Sequence, residues 1–126
     1  MHKSKLGGFI IDCRTDDLSG AAEFWGAALG MVVRDLEGSE GDSYKRLEDP
    51  QHDLHIEVQK VHHPSRVHLD VETNDIVAEV RRLELLGAKK VQQIGTWWVM
   101  EAPTGQRFCV VRASSLGFEE RATEWT

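Results

Sequence analysis

Cysteine, proline and positive charge are all scarce in this 126-residue sequence, and each shortage closes off a class of protein. The two cysteines, Cys13 and Cys109, each sit inside an apolar, strand-like run, where a buried reduced thiol is commoner than a bridge. A disulfide-stapled secreted scaffold is therefore not expected, and the expected localisation is cytoplasmic. Three prolines are too few for a proline-rich linker or fibre. Lys and Arg number 15 against 21 Asp and Glu, a formal charge of −6, which offers no basic surface to release counterions from a phosphate backbone. Nucleic acid is not an expected partner. Long hydrophobic runs are missing as well: nothing approaches the roughly 18 apolar residues of a membrane span, and Phe9-Ile10-Ile11 is too short for a signal-peptide core. No membrane partner is expected either.

What remains is ordinary globular material, 40% hydrophobic and 29% charged, in a length that suits one compact domain folding without metal or disulfide staples. Leu18, Ala21, Ala22, Trp25 and Leu29 recur at helical spacing and predict a helix over 17–29. Asp16, Asp17 and Ser19 supply N-cap oxygens, and Gly30 suits a left-handed C-terminal position. The plan recurs further on: Ile76, Val80, Leu83 and Leu86 form a second stripe, with Thr73, Asn74 and Asp75 before it and Gly87 after it. Each helix ends in Leu-Gly followed by a strand-like run, so the chain reads as two comparable halves.

Apolar or alternating runs flank the helices at matching places. Runs at 6–13 and 65–72 precede them; runs at 31–37, 43–48 and 53–61 follow the first, and runs at 88–94, 96–101 and 106–112 follow the second. Glu48-Asp49-Pro50 and Glu101-Ala102-Pro103 mark the same bend in each half, where proline fits a turn and not a central strand. The reading is thus an α+β domain over residues 1–126, with halves at 6–61 and 65–112, each made of a strand, a helix and three strands, and a C-terminal arm at 113–126. Leu116, Phe118 and Trp125 allow that arm to pack; a frayed end is the other reading. Gly38, Ser39, Gly41 and Asp42 form either an ordinary hairpin connection or a mobile turn.

Alternation along strands assigns side chains to faces. In Arg66 to Glu72 the apolar set is Val67, Leu69 and Val71, expected to be buried, and His68, Asp70 and Glu72 face the other way. In the run from Leu54 to Gln59, Leu54, Ile56 and Val58 are expected against the helix, with His55, Glu57 and Gln59 opposite. Such polar faces either line a small-molecule pocket or are the solvated side of a sheet. Trp97 and Trp98 point to opposite faces, so one indole is free to meet a planar or apolar ligand. His55, Gln59, Asp70, Trp97 and Trp98 are accordingly the candidate ligand-binding residues, and His68 and Glu57 the candidate catalytic ones. His68 beside Asp70 is either a general base or a structural histidine. His62 and His63, before Pro64, read as loop surface.

A resemblance to the vicinal oxygen chelate superfamily, in its glyoxalase-like, bleomycin-resistance and dioxygenase group, runs over nearly the whole chain. It is carried by Asp17-Leu18 through Ala22-Glu23-Phe24-Trp25 to Leu29-Gly30, by Arg66 to Val71, by Leu83 to Ala88, and by Trp98 to Val111 around Gly105-Gln106. The resemblance implies two βαβββ modules forming a cupped, mostly antiparallel eight-stranded sheet with helices on its outer face. It also implies a homodimer and a small-molecule ligand held in the cup. Metal-using relatives take a His from each module's first strand and a Glu from each module's last. On this sequence His68 matches the second His, Ile10 or Ile11 stands at the first, Glu57 or, with a one-residue shift, Ile56 matches the first Glu, and Cys109 occupies the second Glu position. The family ligand set is incomplete, so the cofactor is unknown. His68, Glu57 and His55 are the donors left for a divalent metal; Cys109, among Phe108, Val110 and Val111, reads first as an inert core thiol.

The resemblance therefore implies a glyoxalase-like protein that binds a small organic molecule, as a lyase or isomerase with a degenerate or absent metal site. The alternative is a non-catalytic sequestering protein of the antibiotic-binding type, and a ligand-sensing subunit is a third reading. Whether the chain is an enzyme stays open at this point.

Overall fold

The structure, a computed structural model, describes residues 1–49 and 51–126. The chain runs β1 (His2–Arg14), α1 (Leu18–Leu29), β2 (Val32–Asp35), a 3-10 turn (Gly38–Asp42), β3 (Tyr44–Glu48) and β4 (His55–Val61). β5 (Arg66–Thr73), α2 (Ile76–Leu85), β6 (Lys89–Ile94), β7 (Trp97–Glu101) and β8 (Arg107–Arg112) follow, then α3 (Phe118–Arg121) and β9 (Thr123–Trp125). This is the α+β class expected, with mostly antiparallel pairing and a ninth strand that the sequence pattern did not announce. The chain forms two compact units, residues 9–67 and residues 1–8 with 68–126.

In the unit 9–67 the strand order is β2-β3-β4 and then the second half of β1. Asp17 caps α1 by accepting a hydrogen bond from the Gly20 amide at 2.9 Å, and Gly30, at φ 70°, ends the helix in the left-handed region. The stripe read from the sequence buries Leu18 and Ala22 against Ile11, Leu47, Ile56 and Val58, with Trp25 partly buried beside them, while Leu29 stays exposed. Gly26 is required by close approach: a Cβ there would lie 2.8 Å from Val33 Cγ2 and 3.0 Å from the Met31 carbonyl. The segment from Gly38 is the hairpin connection between the antiparallel strands β2 and β3, and it contains a 3-10 turn. The proline expected in the bend after β3, Pro50, lies outside the described residues.

In the other unit the first half of β1 is followed in order by β5, β8, β7 and β6. β5 and β8 pair in parallel and place Asp70 opposite Cys109; β7 pairs antiparallel with β8 and β6, and β6 carries a bulge at Lys90 to Gln92. Asp75 caps α2 by accepting from the Ala78 amide at 3.0 Å. Val80 of α2 packs with Ala88, Met100 and Val110, joined by Ile76, Leu83, Trp98 and Phe108.

One expectation fails here. Val67 and Leu69 were assigned to the core, yet they are 58% and 52% exposed. The helical stripe of α2 lies on β8 and β6, which leaves the start of β5 at Val67 and Leu69 exposed, while Val71 further along is half-buried. Leu86, the last residue of the predicted stripe, falls beyond the helix and is also exposed.

The C-terminal arm is ordered. β9 pairs with the start of β1 in the register His2↔Trp125, Lys3↔Glu124 and Ser4↔Thr123, which explains why β1 begins earlier than its apolar pattern. Trp125 donates its indole N–H to Ser4 Oγ at 2.8 Å, and the Arg82 guanidinium lies 3.8 Å over its ring. Beneath it Glu79, fully buried, accepts two hydrogen bonds from Arg82 at 2.8 Å and meets His2 Nε2 at 2.8 Å. Burial alone would push the Glu79 carboxyl up; the hydrogen bonds from Arg82, His2 and Ser4 outweigh it and hold the group below its ordinary value.

Candidate functional site

β5 presents its polar residues as the alternation requires. His68, Asp70 and Glu72 leave one face, and the His68 Nε2 to Asp70 Oδ1 distance is 3.7 Å, with both side chains mostly shielded from solvent. Two residues on, Glu72 is 1% exposed, accepts from Ser114 Oγ at 3.1 Å and stands 3.9 Å from Lys5 Nζ. Gly7 makes room for it: a Cβ at that position would sit 2.2 Å from Glu72 Cγ. Neither Gly7 nor Lys5 was singled out from the sequence, because a contact from β1 to β5 leaves no local pattern.

The parallel register carries Cys109 onto the same face, opposite Asp70. The imidazole, carboxylate and thiol donors of His68, Asp70 and Cys109 lie within 4.8 Å of one another, the single grouping of this kind among the described residues. Across β7, Val99 is the partner of Cys109, so Trp97, two residues earlier, shares that face. Trp98 is the partner of Val110 and packs in the core with α2, Lys90 Nζ lying 5.0 Å from its ring. Glu101 and Arg107 close the row as an ion pair at 3.0 Å.

In the unit 9–67, His55 and Glu57 stand together on β4 at 3.2 Å between Nε2 and Oε2, and Gln59 is two residues further along. Ile56 and Val58 point the other way into the core, as expected. An open, polar cleft of about 330 Å³ lies at the ends of β1 and β4, lined by Arg14, Thr15, Asp16, Val61 and His62. His62 was read as plain loop surface, and it borders this cleft. The candidate set thus falls into two groups: His68, Asp70, Trp97, Trp98 and Cys109 in one unit, and His55, Glu57 and Gln59 in the other.

Both cysteines are free. Cys13 packs on the core of its unit, and burial pushes its thiol up, with Asp12 adding to the rise and the contact with Trp25 opposing it. Among the described residues no helix is long and apolar enough to cross a membrane.

The glyoxalase-like domain family matches residues 8–111. The chain belongs to that family. Its fold is that of the vicinal oxygen chelate superfamily. A methylmalonyl-CoA epimerase from Mycobacterium tuberculosis is similar at 18% identity and a TM-score of 0.63, over 86% of this chain and 88% of its own. A hypothetical protein from Bacillus halodurans gives 12% identity and 0.63 over 89% and 96%. The 2,2',3-trihydroxybiphenyl 1,2-dioxygenase of Sphingomonas wittichii gives 17% and 0.58 over 90% of this chain and 42% of its own. No curated protein matches the sequence. At these identities the likeness is one of fold.

The metal scheme of the metal-using relatives does not fit this glyoxalase-like chain. Ile10 and Ile11, at the position of the first histidine, are 3% and 5% exposed and offer no donor atom. Cys109, the residue the resemblance sets at the last carboxylate's position, carries a thiol. Two of four donors of the expected chemistry remain, one in each unit.

Proposed function

We propose that this glyoxalase-like protein binds a small organic molecule on the polar face of β5, β8 and β7, and that His68 handles a proton of that ligand in a lyase or isomerase step. The observation that carries the reading is the His68–Asp70 pair, shielded, 3.7 Å apart, and on the sheet face opposite the one that α2 packs. A neutral imidazole takes a proton near physiological pH, and a carboxylate beside it orients the ring and favours the imidazolium that forms. Trp97, on the same face, offers an apolar platform for the rest of the ligand. Similar folds bearing the name methylmalonyl-CoA epimerase, one in complex with methylmalonyl-CoA, support a small organic ligand. His55, Glu57 and Gln59 form a second polar group on the other unit, proposed as further ligand contacts and tested separately.

The sequestering alternative uses the same residues without turnover, favoured by the Trp97 and Val99 surface beside the pair. A thermal-shift survey of small carboxylic acids, thioesters and planar aromatics identifies binders through a raised midpoint. Proton NMR in deuterium oxide then follows exchange of the bound compound's acidic C–H. Exchange that is lost in His68→Ala with binding retained supports catalysis. Saturable binding without exchange supports sequestration, and no binder that depends on His68, Asp70 or Trp97 overturns both. The homodimer expected from the resemblance belongs to this proposal, and sedimentation velocity tests it.

A further inference from the structure

We infer that His68, Asp70 and Cys109 form a three-donor site for zinc-class divalent ions, distinct in its donors from the two-histidine, two-carboxylate scheme of metal-using relatives. The inference stands on the placement of three side chains and needs no ligand from the preceding reading. Donor atoms around one tetrahedral zinc ion lie roughly 3.3–3.6 Å apart, given zinc–sulfur and zinc–nitrogen lengths near 2.3 and 2.0 Å. The His68 to Asp70 separation is 3.7 Å, and all three donors fall within 4.8 Å of one another, so small rotamer adjustments bring them onto one ion.

The backbone does most of the positioning. His68 and Asp70 are two apart on β5, and the β5–β8 register holds Cys109 opposite Asp70, so all three leave regular strands on one face. Softness then chooses the metal. A thiolate with an imidazole selects zinc over magnesium or calcium, and the carboxylate and thiolate together cancel a charge of two. On binding, the Cys109 S–H bond gives way to a sulfur–metal bond and the proton leaves to water; His68 lends the lone pair of its neutral ring. The fourth position is left for water or a ligand atom. A bound ion also takes the lone pair that proton transfer by His68 would use, so metal occupancy and the base role exclude each other at this residue.

Chelator-dialysed protein titrated with zinc against a chromogenic chelator is expected to bind one equivalent. Cobalt in its place is expected to give a thiolate-to-metal charge-transfer band in the near ultraviolet. Cys109→Ser should abolish that band, and both Cys109→Ser and His68→Ala should weaken zinc by about 100-fold or more, at or beyond the upper end of what losing an outer-shell partner costs. Cys13→Ser should change neither. Absence of stoichiometric zinc in the unaltered protein, a cobalt complex without a sulfur band, or a band that follows Cys13 overturns the inference. Zinc failure with His68-dependent ligand binding intact leaves the functional proposal standing, and the converse leaves this one.

Discussion

Gly7 is a residue at which one added methyl group should have a large structural effect. A methyl group there would collide with the buried Glu72 side chain, whose carboxylate is fixed by Ser114 and faces Lys5. Gly7→Ala is expected to destabilise by about 2 kcal/mol, the scale of overpacking a filled site, as read by chemical denaturation. An unchanged midpoint would mean that Glu72 has room to leave. Glu79 governs the acid limb of stability. Its folded-state pKa lies below the ordinary value of 4.5, so the carboxylate stabilises fully above that value and the contribution is lost as pH falls through the lowered one. Glu79→Gln should therefore cost stability at neutral pH and flatten the decline below about pH 4.5, since the amide cannot titrate. An acid profile identical to that of the unaltered protein would contradict the assignment. Cysteine contrasts are a residue-scale matter too: burial of the Cys13 thiol keeps it protonated and slow toward alkylating reagents.

At the scale of elements, the helices are capped as their sequences suggest, and each cap is a separate test. Asp75→Ala removes the acceptor of the Ala78 amide and is expected to cost about 1 kcal/mol, measured by thermal or urea unfolding. β9 is short, three residues, and its hold on β1 depends on what Trp125 does beyond the ladder. Trp125→Ala deletes the cation–π contact with Arg82 and the hydrogen bond to Ser4, leaving a buried hydroxyl without that donor. Amide exchange at Ser4, the partner of Thr123, should accelerate by at least tenfold while exchange in β8, and at Lys3, whose N–H donates to Asn74 Oδ1, is unchanged. Equal acceleration in both strands would show that the arm is part of the global unfolding unit.

For the whole molecule, single-domain behaviour is proposed because β1 runs without a break from residues of one compact unit into residues of the other. Scanning calorimetry should then give one transition with matching calorimetric and van't Hoff enthalpies, whereas two resolved transitions would make the units separate domains. Family membership constrains the fold at this scale and leaves substrate open, because function rests on the site and not on the scaffold. A glyoxalase-like chain with isoleucine where a metal-binding histidine is expected, and a thiol where a carboxylate is expected, is therefore to be judged on its own donors.

Periodicity in the sequence determined the helices with their caps, the order of strand and helix in each half, and the faces of His55, Glu57, His68 and Asp70. Those features are local: a 3.6 or 2.0 repeat and a capping oxygen act within a few residues of themselves. The sequence could not say that Leu69 and Val67 lie uncovered while Leu54 and Ile56 pack, because burial depends on where a helix lands and not on the strand that waits for it. Nor could it place Cys109 beside His68 and Asp70, or Glu72 over Gly7. Those meetings join strands far apart in the chain, and their register is set only when the sheet has formed.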